Sequence, residues 1–133
     1  MKIGIIGLGR MGHAIAFRLL NGGHEVLGFD TNRDNLQAAS NIGVKTVLTI
    51  QELAQQVNIF WLMIPEGDPV DSVINELISV LKPGSTIIDG GNSNFKDSVR
   101  RYKILKEKEI NFIDCGTSGG IHGKELGFSL MVG

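Results

Sequence analysis

The first glycine-rich segment of the chain has the residue types and spacing of a phosphate-binding turn. Gly7, Gly9 and Gly12 form the pattern Gly-x-Gly-x-x-Gly. The first glycine permits a tight turn, the second lets the backbone approach a diphosphate, and the third lets a helix pack closely on a strand. The alternative is a glycine-rich turn that binds no ligand. The predicted cofactor-binding residues of this turn are Gly7, Leu8, Gly9, Arg10, Met11 and Gly12.

An acidic residue at the end of the second predicted strand bears on which dinucleotide would bind. Asp30 can accept hydrogen bonds from the adenosine ribose hydroxyls, which favours NAD because a 2′-phosphate would face a like charge. Asn32 and Arg33 lie just beyond it, and a nearby arginine is how such sites accept NADP. We therefore predict NAD or NADP as the cofactor, with NAD slightly favoured by Asp30. The alternative for Asp30 is a residue that only forms the turn.

Two later segments carry small and polar residues directly after predicted strands. Residues 89–93 follow the fifth strand and residues 116–120 follow the sixth. In an open α/β sheet ligands bind outside the carboxyl ends of the strands, so both segments belong at the same edge as the dinucleotide. Asn92 and Ser118 could hold a polyhydroxy or carboxylate substrate through neutral hydrogen bonds. Tight turns without a ligand are the alternative.

Strand and helix patterns alternate along the chain and place these segments at strand ends. The alternation predicts βαβ units and a mostly parallel sheet, which is an α/β fold of the Rossmann type, doubly wound, with helices on both faces. Asp68 is the predicted N-cap of the clearest helix, and Val99, Tyr102 and Leu105 are the predicted buried side of the last one. Strands are predicted at 2–6, 25–29, 44–47, 59–64, 85–89, 110–114 and 128–132, and helices at 11–20, 35–40, 50–57, 68–81 and 97–108.

Length and composition set limits on the class of protein. A chain of 133 residues suits a single domain, and we expect one dinucleotide-binding domain over 1–133, cut from a longer protein. A net charge of −1 gives no electrostatic footprint for nucleic acid or anionic lipid. One cysteine, Cys115, allows no intrachain disulfide and no cysteine metal cluster. The pattern of a signal peptide or membrane span is missing, so we expect a cytoplasmic protein without a membrane partner.

Five runs of residues, at 61–65, 87–93, 97–101, 116–120 and 130–133, resemble motifs of the 6-phosphogluconate dehydrogenase family in order and at sensible spacing. The chain resembles the NAD(P)-binding N-terminal domain of the shorter, bacterial-type branch. The wider β-hydroxyacid dehydrogenase superfamily shares the first glycine motif and a Ser-Gly-Gly loop, whereas Asp-Gly-Gly-Asn-Ser points to the phosphogluconate enzymes. The matching runs are 61–65 (Trp-Leu-Met-Ile-Pro), 87–93 (Ile-Ile-Asp-Gly-Gly-Asn-Ser), 97–101 (Asp-Ser-Val-Arg-Arg), 116–120 (Gly-Thr-Ser-Gly-Gly) and 130–133 (Leu-Met-Val-Gly).

The resemblance implies a reaction and a set of binding residues. NAD(P) would take a hydride from C3 of 6-phosphogluconate, and loss of CO2 would give ribulose 5-phosphate, as in the pentose phosphate pathway and gluconate utilisation. The family's catalytic lysine and glutamate lie downstream in a helical domain that also builds a dimer. No catalytic residue is therefore assigned here, the chain alone is expected to be inactive, and the full-length protein is expected to be a homo-oligomer. The positions that match family contacts are Met63, Ile64, Pro65 and Asn92 at the cofactor, and Asn92, Ser118, Gly119 and Gly120 at the substrate.

Two other functions fit parts of the same pattern. One is a related β-hydroxyacid dehydrogenase that acts on a smaller acid. The other is a non-catalytic module that binds NAD(H) and reports redox state to a partner. Asn92 and Ser118 would have no evident purpose in such a sensor.

Overall fold

The computed structural model describes the backbone of residues 1–133 and every side chain except that of Ile121. The strands are β1 (Lys2–Ile6), β2 (Glu25–Phe29), β3 (Lys45–Thr46), β4 (Ile59–Leu62), β5 (Thr86–Asp89), β6 (Asn111–Ser118) and β7 (Ser129–Val132). The helices are α1 (Arg10–Asn21), α2 (Arg33–Asn41), α3 (Ile50–Ala54), α4 (Asp68–Ile78), α5 (Phe95–Glu107) and α6 (Gly123–Leu126), with a short 3₁₀ turn at Gly120–His122 before α6.

The strands form one seven-stranded sheet in the order β3-β2-β1-β4-β5-β6-β7. The first six strands pair in parallel, and β7 joins β6 antiparallel at the edge. The chain moves outward from β1 to β3, then returns and continues on the other side from β4. This reversal creates a crevice between the carboxyl ends of β1 and β4, which is where open α/β sheets bind ligands.

Alternating side chains of the central strands feed two separate apolar layers. Ile6 and Leu27 belong to the layer covered by α3, α4 and α5, whereas Ile5 and Val26 belong to the layer covered by α1 and α2. Because successive residues of a strand point to opposite faces, a strand covered on both sides reads as a continuous apolar run. Helices on both faces confirm the predicted doubly wound α/β fold of the Rossmann type.

The predicted end of the sixth strand was wrong. Residues 116–118, which were predicted to follow the sixth strand, belong to it, because β6 continues to Ser118. The strand changes partner along its length: Asp114 pairs with Asp89 of parallel β5, and Cys115 pairs with Val132 of antiparallel β7. A pairing with a later strand is not visible in the local pattern, so the small residues were misread as a loop. The prediction also missed α6, which follows the 3₁₀ turn.

The predicted buried side of α5 was wrong for two of three residues. Leu105 is buried, but Val99 and Tyr102 are 49% and 46% exposed. The buried positions of α5 are instead Ser98, Arg101 and Leu105. An apolar periodicity argument excludes an arginine from the core, and here Arg101 is buried because it meets carboxylates there.

Smaller differences concern where elements begin and end. The N-cap of α4 is Gly67, with φ 88°, and Asp68 is the first helical residue. At that position the Asp68 carboxylate interacts favourably with the positive end of the helix dipole. The fourth strand ends at Leu62, and Met63 and Ile64, predicted as its last residues, line the crevice instead. Helix α3 ends at Ala54 rather than at residue 57, and α2 begins at Arg33 under an Asn32 cap.

Candidate functional site

The glycine-rich turn joins β1 to α1 at the crevice. Gly7 has φ 98°, and a Cβ there would overlap the carbonyl oxygen of Met63. A Cβ on Gly12 would overlap the carbonyl oxygen of Gly7. These two glycines are therefore required by the protein's own packing, because α1 and the end of β4 approach the turn too closely for any side chain.

Gly9 differs from the other two glycines of the turn. Apart from its chain neighbours Leu8 and Arg10, no described residue has a heavy atom within 4 Å of a Cβ built on Gly9, and its φ of −66° is open to any residue. The first N–H groups of a helix have no intrahelical acceptor, and no side chain caps α1. The open space above Gly9 is thus a cradle of helix-end N–H groups that a Cβ would fill, as a diphosphate site requires.

Asp30 ties the end of β2 to this turn. Its Oδ2 accepts hydrogen bonds from the backbone N–H of Leu8 at 2.7 Å and from Asn35 Nδ2 at 3.1 Å, and its Oδ1 accepts one from the N–H of Asn32 at 2.7 Å. A carboxylate offers about four acceptor positions, so one remains for a ribose hydroxyl. Leu8 gives its backbone N–H to this contact, while its side chain is buried in the core.

Two neighbouring cavities flank the turn and collect most of the predicted cofactor residues. A cavity of about 370 Å³ is lined by residues from the ends of β1, β2 and β4. A second cavity of about 560 Å³ lies beside α1. It is lined by the predicted cofactor residues Leu8 and Arg10 and by Gly120, which was predicted to meet the substrate. Gly9 and Asn35 line both cavities. The predicted residues that line the first cavity are Gly7, Gly9, Asp30, Met63, Ile64 and Pro65.

Other predicted cofactor residues do not line the first cavity. Asn32 caps α2, because its Oδ1 accepts hydrogen bonds from the N–H groups of Asp34 and Asn35. Arg33 is exposed at the start of the same helix, and Met11 is half-buried in the first turn of α1. The structure thus gives Asn32 a local task in α2, while Arg33 stays free in solvent beyond Asp30.

Asn92 connects the two segments predicted to meet the substrate. It has φ 57°, a left-handed conformation that asparagine tolerates better than most residues. The backbone N–H of Thr117 donates to Asn92 Oδ1 at 3.0 Å, and Asn92 Nδ2 donates to the carbonyl oxygen of Thr117 at 3.2 Å. One N–H and one lone pair of the amide remain, and this double hydrogen bond fixes the direction in which they point.

The Ser-Gly-Gly positions follow directly from that contact. Ser118 ends β6 and is exposed, as are Gly119 and Gly120. The segment after them folds back onto α1, where Arg18 Nη1 donates to the carbonyl oxygens of Lys124 and Glu125 at 3.4 Å. The side of helix α1 therefore contacts the residues that follow the predicted substrate segment, and its N-terminus carries the glycine-rich turn.

Charges beside these segments are paired across α4, β5 and α5. A hydrogen bond from Arg101 is the main factor that holds the pKa of the Asp71 carboxyl below its ordinary value, with Arg100 adding to it. Burial raises the pKa of Asp114 above its ordinary value, and repulsion from Asp89 raises it further. Burial also raises the pKa of the Cys115 thiol, which keeps that thiol protonated and unreactive at neutral pH.

Sequence reasoning missed several residues that organise the site. Asn35 binds Asp30 and lines both cavities, and Thr117 holds Asn92. Asp89 and Arg101 form a buried ion pair beneath the Asn92 segment. Asp89 at the end of β5 and Arg101 in α5 both lie inside runs that resemble family motifs, which is a signal that could have found them. No local pattern shows that the two residues meet.

The fold and the crevice define this chain as a dinucleotide-binding domain of the Rossmann type, built for NAD or NADP. Residues 2–133 match the family model described as the NAD binding domain of 6-phosphogluconate dehydrogenase. The chain belongs to that family, and the resemblance drawn from its motifs is confirmed.

Individual relatives and solved structures agree with this assignment. An NAD(+)-dependent, decarboxylating 6-phosphogluconate dehydrogenase of Haloferax volcanii is 43% identical, over 100% of this chain and 44% of the relative. A 6-phosphogluconate dehydrogenase structure from Plasmodium falciparum, determined with NADP+ and with 6-phosphogluconate, has a TM-score of 0.89 at 29% identity, covering 99% of this chain and 30% of its own. The 3-hydroxyisobutyrate dehydrogenase of Mycobacterium tuberculosis has a TM-score of 0.92 at 24% identity, and the match covers 99% of this chain and 46% of that one. At this identity the likeness shows only that the two proteins share a fold.

Three further observations concern the length of the chain, membrane-spanning helices and metal ligands. The chain spans less than half the length of the curated relatives it matches, 44% and 46% for the first two. Among the described residues, none of the helices has the length and apolarity needed to cross a bilayer. Within the same part of the chain, His, Cys, Asp and Glu side chains form no cluster of three that could hold a metal ion.

Proposed function

We propose that this chain is the NAD(P)-binding part of an oxidoreductase that converts 6-phosphogluconate to ribulose 5-phosphate and CO2. The names of the relatives support the substrate, and the resemblance of residues 87–93 and 116–120 to family motifs supports the same reaction. The cofactor, when bound, supplies the hydride acceptor. The whole protein, which we propose to be a homo-oligomer, would carry the reaction.

The observation that carries the proposal is the contrast between Gly9 and its two partner glycines. Packing of the chain itself requires Gly7 and Gly12, whereas among the described residues nothing stands where a Gly9 side chain would lie. A glycine that the fold does not need is explained when a ligand must approach the backbone closely. The adjacent helix N-terminus makes an anionic diphosphate the fitting ligand.

The residues around the crevice divide the work of binding. The N–H groups after Gly9 would receive the diphosphate, and Asp30 would accept a hydrogen bond from the adenosine ribose. The segment from Met63 to Pro65 forms an apolar wall of the cavity, and it would flank the cofactor and exclude water from it.

The substrate would meet the segments joined by Asn92 and Thr117. We propose that Asn92 offers its remaining N–H to the substrate and that Ser118, Gly119 and Gly120 add a hydroxyl and backbone N–H groups. Since Gly120 also lines the cavity beside Arg10, this segment would touch both ligands. We assign no residue of this chain to the acid–base pair of the family.

Replacement of Gly9 by alanine tests the proposal directly. In Gly9→Ala the protein should fold with an unchanged or slightly higher melting temperature, because its φ suits alanine. The dissociation constant for NAD+, measured by calorimetric titration, should rise at least about tenfold, because the methyl group occupies the diphosphate position.

Gly22→Ala is a matched control at the opposite end of α1. Gly22 has φ −81°, and an added Cβ would make only ordinary contacts of 3.5 Å, so its NAD+ affinity should equal that of the unaltered chain. If Gly9→Ala bound NAD+ as tightly as the control, the turn would not hold a diphosphate and the proposed function would fail.

A further inference from the structure

Arg101 is a buried cation that contacts both the start of α4 and the end of β5. Its side chain is 1% exposed. Nη1 donates to Asp89 Oδ2 at 3.4 Å, Nε donates to Asp71 Oδ1 at 2.9 Å, and Nη2 donates to the carbonyl oxygen of Gly67 at 3.2 Å. The planar guanidinium thus reaches three acceptors at once, which a lysine ammonium on its single nitrogen could not do in the same geometry.

One arm of this contact leads through Asp89 to the Asn92 segment. Asp89 is fully buried at the end of β5. Its Oδ1 accepts from the backbone N–H of Gly91 at 3.0 Å, and its Oδ2 accepts from Ser93 Oγ at 2.6 Å as well as from Arg101. The carboxylate therefore grips the residues on either side of Asn92 and leaves Asn92 itself free to reach Thr117.

The Asn92 segment is also confined from the side of β4. A Cβ on Gly90 would lie 2.5 Å from both Met63 Sδ and Trp61 Nε1, and a Cβ on Gly91 would lie 2.6 Å from the carbonyl oxygen of Ile64. The segment is thus packed against Met63 and Ile64, which line the cavity of about 370 Å³, called here the cofactor cavity. A shift of a few tenths of an ångström in Asp89 would be transmitted to this contact, because packed interiors have little free space.

The other arm of the Arg101 contact leads to the start of α4. Gly67 and Asp71 belong to the N-cap and first turn of that helix. Pro65 and Pro69, each two residues from Gly67, line the cofactor cavity. Arg101 therefore joins the loop that walls the cofactor to the loop that carries Asn92, although it lies outside both cavities.

We propose that Arg101 is a positioning residue that holds the β4–α4 and β5–α5 loops in register, so that cofactor and substrate groups are aligned before either ligand binds. This inference rests on the proposed function for its ligands, and on the hydrogen bonds of Arg101 and Asp89 for its geometry. Buried ion pairs stabilise proteins little compared with apolar replacements, so stability alone gives a weak reason for an arginine here. Preorganised loops, by contrast, reduce the ordering penalty of binding.

The adjacent Arg100 provides a matched control. It also bonds Asp71, at 3.0 Å, but its other partner is Asp97 on its own helix and its side chain is 48% exposed. Arg100→Met removes a cation from the same helix and the same carboxylate without touching Asp89 or Gly67. Arg101→Met removes the contact to both loops while keeping a side chain of similar length.

The first measurement is amide hydrogen exchange in the ligand-free chain. The N–H groups of Gly91 and Thr117 report on the segment, because they donate to Asp89 and Asn92. In Arg101→Met both should exchange at least about tenfold faster relative to the amides of β1, and Arg100→Met should leave that ratio unchanged. The emission of Trp61, the single tryptophan of the sequence, should also shift only in Arg101→Met, since its indole packs against Gly90.

The second measurement is NAD+ affinity. Arg101→Met should raise the dissociation constant about tenfold, and Arg100→Met should leave it within about twofold. Compared with Arg101→Met, Arg101→Lys should restore more of the melting temperature than of the protection of the Gly91 amide against exchange. The lysine restores the charge but not the contact with three acceptors. If Arg101→Met does not fold, Ser93→Ala takes its place in the test. This variant removes only the 2.6 Å hydrogen bond to Asp89, and it should speed the exchange of Gly91 and Thr117 in the same direction but by less.

The outcomes separate this inference from the proposed function. Unchanged protection of Gly91 and Thr117 in the folded Arg101 and Ser93 variants would overturn the positioning role, as would looser loops with unchanged NAD+ affinity. If the unaltered chain bound no dinucleotide, the proposed function would fail while the exchange measurements still tested the contact between the two loops.

Discussion

Asp30 shows how one side chain can serve both the fold and a ligand. Its three hydrogen bonds draw together the phosphate turn, the β2–α2 loop and the first turn of α2. A carboxylate that already accepts from three N–H donors is held in one orientation. Its remaining acceptor position is therefore presented to the crevice without further ordering, which is the condition for selective recognition of a ribose hydroxyl.

The position of Asp30 predicts a preference between the two dinucleotides. NAD+ should raise the melting temperature more than NADP+ at equal concentration, by about 3 °C at concentrations that saturate with NAD+. The physical reason is repulsion between the Asp30 carboxylate and a 2′-phosphate. Differential scanning fluorimetry with both ligands measures the difference.

Asp34→Asn is the control for this preference. Asp34 is a nearby exposed acid in the first turn of α2, so its replacement changes the local charge and leaves Asp30 intact. The preference for NAD+ should persist in this variant. A larger shift with NADP+ in the unaltered chain would reverse the assignment and give Arg33 the dominant role.

In the structure Asn32 caps the first turn of α2. Asn32 Oδ1 accepts from the N–H groups of Asp34 and Asn35 at 2.8 and 3.1 Å, so the side chain predicted to bind the cofactor caps a helix. The same turn carries Asn35, which bonds Asp30 at 3.1 Å. An effect of Asn32 on binding would therefore pass through the order of α2.

Loss of this cap gives a prediction for the element. Asn32→Ala should lower the free energy of unfolding by about 1 kcal/mol and weaken NAD+ binding severalfold, because Asn35 would hold Asp30 less firmly. Asn32→Ser should preserve both properties, since serine also caps helices. Urea denaturation and NAD+ titration of the two variants provide the measurement. Weaker binding in Asn32→Ala at unchanged stability would show instead that Asn32 touches the cofactor.

The sheet as a whole supplies the crevice, and no single element contains it. Its walls come from the ends of β1, β2 and β4. Its predicted substrate side comes from β5 and β6, which follow β4 in the order of the sheet. Parallel strands bring all of these ends to one edge. The matched relatives are more than twice as long as this chain, and the resemblance assigns the acid–base pair to the part beyond the NAD-binding domain.

Binding and catalysis should therefore be separable at the level of the molecule. We expect the 133-residue chain to bind NAD+ and to produce no NADH from NAD+ and 6-phosphogluconate, because orienting groups without an acid–base pair do not carry the proton transfers of the reaction. Absorbance of NADH at saturating ligands measures this. NADH production above background, in a preparation free of other dehydrogenases, would show that the chain contains its own acid–base groups.

The sequence by itself determined the features that depend on local sterics and periodicity. The glycine spacing of residues 7–12 located the turn, and strands β1 and β2 were predicted at their observed bounds. Alternation of strands and helices was sufficient for the fold class, because each pattern spans only a few residues. The assignments of individual site residues stay predictions, although the structure gathers six of them around one cavity.

Only the tertiary structure decided which distant residues meet. The change of partner within β6, the pairing of Asn92 with Thr117, and the burial of Arg101 between Asp71 and Asp89 all join positions 12 to 30 residues apart. Such contacts depend on the order of strands in the sheet and on where a buried charge finds its counter-charge. A local pattern carries neither quantity, because the same arginine in the same helix would be solvated if the two carboxylates lay elsewhere.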